Sequence, residues 1–145
     1  MNLFFDTSVL VAGSSATHVH HAQALAALKS LRDGENRGWM SQHAVAETYA
    51  ILTSAPLTPR IHPSEALRII ETNLLPHIKI VALRPEDYRE AVRDMAAGEW
   101  RSGKIYDALH LRCAERQPVD RVYTFNVREF QQLAPHLKGK ICAPP

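Results

Sequence analysis

Leu3-Phe4-Phe5-Asp6-Thr7-Ser8-Val9-Leu10 opens the chain with a short apolar, aromatic run that stops at a carboxylate. Residues 2–5 read as a buried β-strand. Asp6 continues that strand directly, and two hydroxyls, Thr7 and Ser8, follow it. An unpaired carboxylate is costly to bury, so an acid in such surroundings is usually paired with a cation or bound to a metal. Two further stretches repeat the theme: Ala44-Val45-Ala46-Glu47-Thr48-Tyr49 and Gly103-Lys104-Ile105-Tyr106-Asp107-Ala108-Leu109-His110. Three such acids brought together form a hard-cation site, and that suggests phosphate chemistry.

Outward from the first strand, strands alternate with helices. Ala16 to Leu31 reads as a helix, with Ala24, Leu25, Leu28 and Leu31 at helical spacing. Gly38-Trp39-Met40 is a short strand, and Ser41 caps a helix that runs to about Ser54. Ala55 to Pro63 holds three prolines and reads as a loop. Ser64 is expected to cap a helix through about Leu74, and Ile78 to Val81 forms a strand. Pro85 opens a helix that ends near Gly98, with Glu86 and Asp87 in its first turn. Lys104 to Arg116 is a helix, Arg121 to Thr124 a strand and Val127 to Leu133 a short helix. Lys140-Ile141-Cys142 is a last edge strand. The expectation is an α/β fold: a three-layer α/β/α sandwich on a parallel sheet, with residues 1–145 in a single domain. In such sheets ligands bind beyond the carboxyl ends of the strands. Asp6 and Asn126 both follow strands there.

The chain has 145 residues, 46% of them hydrophobic, which allows one sizeable core. A formal charge of +2 excludes a strongly basic nucleic-acid binder, although arginines recur from Arg84 to Arg128. No basic region and apolar stretch of signal-peptide type precedes Asp6, and no segment approaches the length of a transmembrane helix. Cys113 and Cys142 show neither metal spacing nor a disulfide framework. The expected location is cytoplasmic.

Each acid has a plain alternative. Asp6 could cap a turn or a helix. Glu47 shares a helical stripe with Ala44, Ala50 and Ile51, so it faces packed neighbours or lies on a surface beside small residues. Asp107 sits in a first helical turn, where an acid is stabilising through the helix dipole with no function at all. Against that stand the Ile105-Tyr106 and Ala108-Leu109 pairs on either side, which would enclose it. Asn126, in Tyr123-Thr124-Phe125-Asn126-Val127-Arg128-Glu129-Phe130, is a turn residue or an oxygen ligand.

Taken in order, these four pieces make the chain resemble a PIN domain, and more narrowly the VapC-type toxins of prokaryotic toxin–antitoxin pairs. The resemblance rests on Phe5-Asp6-Thr7-Ser8-Val9-Leu10, on Glu47, on Ile105-Tyr106-Asp107-Ala108-Leu109 and on Thr124 to Phe130. It implies a five-stranded parallel sheet and an endoribonuclease that depends on Mg²⁺ or Mn²⁺. It also implies an RNA substrate, a small antitoxin protein as partner, and a homodimer. Asn126 stands where the family often has Asp, which lowers the charge of the site. On this reading Asp6 and Asp107 are direct metal ligands. Glu47 and Asn126 act through water, as ligands or as orienters of the attacking water. Ser8 and Thr124 support the carboxylates or the substrate, and Arg101 and Lys104 face RNA phosphates. The other class of function is a PIN-like module without activity that tethers RNA or protein. A phosphoacceptor domain would need an acidic pair after the first strand, and Asp6 stands alone.

The His18-x-His20-His21 cluster reads as the polar start of a helix, since no Cys or acid accompanies it. His110, one turn from Asp107, reads as a helix-surface residue within reach of substrate. Trp39 reads as core. Trp100, beside Glu99 and Arg101, could stack on a base.

Overall fold

The computed structural model describes residues 1–54, 56 and 60–145. The loop expected over residues 55–63 falls partly on 55 and 57–59, outside the described residues. Five strands form one sheet: β1 (Asn2–Phe5), β2 (Arg37–Ser41), β3 (Ile78–Val81), β4 (Arg121–Tyr123) and β5 (Ile141–Cys142). Their order is β3-β2-β1-β4-β5, and every pairing is parallel. The chain winds outward from β1 in one direction and then in the other. The crevice between β1 and β4 is therefore the point where the winding reverses, the usual ligand position in such sheets.

Alternation along β1 divides the core, because successive strand side chains point to opposite faces. Leu3 and Phe5 join one buried cluster with Leu10, Leu28 and Leu74. Phe4 joins the other, with Trp39, Leu111, Val122 and Phe130. Helices α1 (Thr7–Ser14), α2 (His21–Arg32) and α3 (Gln42–Ser54) supply the first layer. Helices α6 (Lys104–Glu115) and α7 (Val127–Leu133) supply the third. A small cluster of Val11, Leu52, Ala66 and Ile69 joins α1 and α3 to α4 (Pro63–Ile69). Helix α5 (Pro85–Ala97) packs on α6, where buried Asp87 pairs with Arg116.

Several boundaries differ from expectation. The helix expected from Ala16 to Leu31 begins only at His21, and a separate helix, α1, precedes it. Val9, Leu10, Val11, Ala12 and Gly13 of α1 are all buried, so no amphipathic period marks that helix in the sequence. At Gly13 an added Cβ would lie 2.4 Å from Leu28 Cδ1, so α1 and α2 pack closely there and a larger residue would require the Leu28 side chain to move. The helix expected from Ser64 starts at Pro63, and His62 is its cap: the ring accepts from the Ser64 N–H at 3.2 Å. It continues as a π-helical turn over Ile70–Leu74. Ser41 does cap α3, accepting from the Ala44 N–H at 3.1 Å. The strand expected to reach Thr124 stops at Tyr123, because Thr124 is turned inward to the site.

Candidate active site

Asp6 is the first residue after β1, and its backbone N–H still donates to Tyr123 O of β4 at 3.0 Å. That bond sets its side chain at the β1–β4 crevice. The residue is 3% exposed. Its Oδ2 accepts from Ser8 Oγ at 2.6 Å and from Thr124 Oγ1 at 2.9 Å. Both hydroxyls are fixed in turn. Ser8 Oγ accepts from the Phe125 N–H at 3.1 Å, and Thr124 Oγ1 from the Asn126 N–H at 3.0 Å. The turn after β1 and the turn after β4 are thus laced together through one carboxylate oxygen. Asp6 also caps α1, with a long 3.4 Å contact from the Ser8 N–H, as its capping reading expects.

Glu47 reaches the same place from α3. Its Oε2 accepts from Thr7 Oγ1 at 2.7 Å and lies 3.1 Å from His110 Nε2. The same Nε2 is 3.6 Å from Asp6 Oδ1. His110 therefore stands between two acids that are 41 positions apart in sequence. Burial would raise the Glu47 carboxyl. The bonds from His110 and Thr7, with the nearby imidazoles, bring it below its ordinary value. The buried stripe of α3 is Ala44, Thr48 and Leu52, not the expected Ala44, Ala50 and Ile51; Ala50 and Ile51 are exposed. Glu47 lies at the edge of that stripe, half-buried.

Asp107 projects from the first turn of α6. Burial raises its carboxyl to about 6, Asp6, Glu129 and Glu47 add to the effect, and His110 opposes it. No hydrogen bond reaches its carboxylate among the described residues. The pairs expected to enclose it do so only in part, since Tyr106 is 55% exposed. Leu109 is buried, and Ile105 and Ala108 are half-buried.

Asn126 is exposed; its N–H is tied to Thr124 and its side chain makes no hydrogen bond among the described residues. Ser8 and Thr124 spend their hydroxyls on Asp6. Lys104 lies 3.6 Å from Glu129 and 5.3 Å from the Trp100 ring centroid. Arg101 is exposed beside it. Trp39 is in the core.

Two histidines of the site were not apparent from the sequence. His110 is not on the helix surface; it is 1% exposed, and its Nδ1 lies 2.8 Å from Ser41 Oγ at the end of β2. The His43 ring lies against it, tilted by 30°, with ring centroids 4.2 Å apart. Burial and His110 lower the His43 pKa to about 4, so the ring is neutral at pH 7; Glu47, a backbone bond to Tyr106 and Asp6 oppose that shift. The signals were present as spacings. Asp107 and His110 are three apart on α6, and His43 and Glu47 are four apart on α3, so each pair shares a helix face. His18 and His20 are likewise more than a polar helix start: the His20 ring stacks on Phe125 at 4.3 Å.

Residues 3–134 match the PIN domain family. Ribonuclease VapC40 of Mycobacterium tuberculosis is 37% identical over 109 residues, covering 72% of this chain and 72% of that protein. The chain belongs to the VapC-type PIN-domain ribonucleases. Ribonuclease VapC27 of the same organism is 33% identical over 107 residues, covering 74% of this PIN domain chain and 72% of that protein. The fold is also that of Mycobacterium tuberculosis VapC20, described as a Sarcin-Ricin loop cleaving toxin. That likeness has a TM-score of 0.65 at 19% identity and covers 86% of this chain and 89% of that one. Among the described residues, no helix of this PIN domain is long and apolar enough to cross a membrane.

Proposed function

We propose that the chain is a divalent-metal-dependent endoribonuclease, the toxin of a toxin–antitoxin pair, with residues 1–145 acting as one PIN domain. The observation that carries this reading is the state of Asp107. Burial first, and then the charges of Asp6, Glu129 and Glu47, raise its carboxyl to about 6, as expected of an acidic group lacking its counter-charge. The donor set fits a hard cation, since carboxylate oxygens suit Mg²⁺ or Mn²⁺.

Asp6 and Asp107 would hold the cation. When bound, it supplies charge neutralisation and Lewis acidity to a phosphodiester undergoing hydrolysis. The chain's own residues have separable tasks. Ser8 and Thr124 fix the Asp6 carboxylate through Oδ2, leaving Oδ1 as the free oxygen. Thr7 and His110 fix Glu47 through Oε2, leaving Oε1 to accept a proton from a water aligned for attack. Asn126, at the rim, can hold that water or the scissile phosphate through its amide. Lys104 and Arg101 lie at the start of α6, where they can meet RNA phosphates. Lys104 must first leave Glu129, an exposed pair of little energetic weight.

The RNA substrate, a small antitoxin protein, a homodimeric state and a cytoplasmic place of action follow from the same reading. The test is cleavage of total RNA with Mn²⁺ or Mg²⁺ and with chelator, by the wild type and by Asp6→Asn and Asp107→Asn. Cleavage is expected only for the wild type with metal. Equal cleavage by all three proteins defeats the proposal.

A further inference from the structure

Beside the carboxylates lies a second donor set, in which two imidazoles join Glu47. His43 Nε2 is buried from solvent and has no hydrogen-bond partner. Its nearest carboxylate oxygen in an ion-pair contact, Glu47 Oε1, is 3.8 Å away, beyond hydrogen-bond reach. A buried polar atom without a partner is costly, and it calls for an explanation in a native fold. Helix spacing explains why His43 and Glu47 are neighbours. It does not explain why the ring nitrogen is turned inward and left bare.

We propose that His43, Glu47 and His110 form a site for a borderline transition metal of the Zn²⁺ class, distinct from the carboxylate site for a hard cation. One ligand atom from each of the three lies within 4.8 Å of the others. Around Zn²⁺, with bonds of about 2.0–2.2 Å, neighbouring tetrahedral ligands sit about 3.3 Å apart. His110 Nε2 and Glu47 Oε2 are 3.1 Å apart, and His43 Nε2 and Glu47 Oε1 are 3.8 Å apart. The two imidazoles thus flank the two oxygens of one carboxylate, and side-chain rotation would bring all three residues onto one ion. Two imidazoles and one carboxylate favour Zn²⁺, Co²⁺ or Ni²⁺ over Mg²⁺.

The outer contacts suit this role. A metal-ligating imidazole donates its other N–H to a fixed acceptor. His110 Nδ1 has Ser41 Oγ at 2.8 Å, itself held by the Ala44 N–H. Access is available because the Glu47 side chain is 29% exposed and that of His43 is 18% exposed. The site shares Glu47 with the proposed catalytic centre, so the two metals compete. The proposal itself does not depend on ribonuclease activity.

The test is spectroscopic and needs no RNA. The intact protein is titrated with Co²⁺ in Mg²⁺-free buffer, and the visible ligand-field bands are followed, then displaced with Zn²⁺. Nitrogen-ligated bands that Zn²⁺ removes are expected for the wild type. Ser41→Ala should weaken Co²⁺ binding about tenfold, the cost of removing an outer partner. His43→Gln should weaken it further, and Asp107→Asn should keep it. Melting curves establish that each variant compared is folded. The proposal is overturned by absence of bands in the wild type, by equal affinity in His43→Gln, or by loss in Asp107→Asn with retention in His43→Gln.

Discussion

Replacing Asp107 by Asn should stabilise the metal-free protein, and only above acidic pH. Asp107 has its carboxyl raised from 3.8 to about 6 in the fold. Below about pH 4 the group is protonated in both the folded and unfolded states, and it costs nothing. Between about 4 and 6 the unfolded chain releases the proton while the folded chain keeps it, so stability falls as pH rises. Above about 6 both states are ionised and the penalty is constant. The gap of roughly 2 pH units corresponds to about 3 kcal/mol at about 1.4 kcal/mol per unit. The carboxylate is only half-buried, so solvent screening reduces this to about 1–2 kcal/mol. For a chain of this size that is about 3–6 °C in melting temperature. The assay is urea denaturation in chelator at several pH values, wild type against Asp107→Asn. The curves should coincide near pH 4 and separate by pH 7.5, with the variant more stable. Added Mn²⁺ should reverse the order, since a ligand at a hundred times its Kd contributes about 2.7 kcal/mol to the state that binds it. Equal stability at pH 7.5 in chelator would refute the account of Asp107 as an uncompensated acid.

Thr124→Val keeps the volume but removes the donor to Asp6 and the acceptor for the Asn126 N–H. It should cost about 1.5–3 kcal/mol in urea melts and lower cleavage; unchanged stability would mean that the lacing of the two turns carries no weight. His43, with its pKa lowered to about 4, is buried neutral, so stability should decline as pH falls from 6.5 toward 4. His43→Gln should flatten that acid limb in a melting series, and an unaltered limb would contradict it. Arg101→Ala with Lys104→Ala should weaken RNA binding across sequences. The salt slope should drop by about 0.7–0.9 for each phosphate no longer neutralised, measured by filter binding; an identical slope places the RNA on another face.

The fold was legible because two kinds of signal agreed. Short apolar runs at Leu3–Phe5, Ile78–Val81 and Arg121–Tyr123 alternate with helical periods, and only a parallel sheet covered on both faces accommodates that order. Helix α1 was illegible for the opposite reason: buried along most of its length, it carries no polar face to set its period. The acids at 6, 47 and 107 could be picked out because carboxylates among apolar residues are rare. His43 and His110 could not, because a lone histidine on a helix is unremarkable in sequence. Their importance depends on tertiary packing: His110 of α6 meets Ser41 Oγ at the end of β2, and His43 reaches it from α3.

The three acids differ in how fully the fold satisfies them, and that gradient separates their roles. Asp6 Oδ2 accepts from two hydroxyls, each anchored to a backbone N–H, so its position is set before any ligand arrives. Glu47 is satisfied on one oxygen only and is held by a histidine whose own partner is a helix cap. Asp107 has no donor among the described residues, and burial followed by the charge of Asp6 raises its carboxyl to about 6. A cation entering this cluster gains most at Asp107, where it meets a carboxylate the fold leaves uncompensated, and reorganises least at Asp6. An antitoxin side chain bearing Arg or Lys would meet the same gradient and bind most strongly where the fold leaves charge uncompensated. Inhibition by such a side chain should therefore compete with metal and should weaken in Asp107→Asn more than in Thr124→Val. The measurement is antitoxin affinity by calorimetry with and without Mn²⁺. Affinity independent of both metal and Asp107 would mean that the antitoxin covers the RNA face without entering the acidic site.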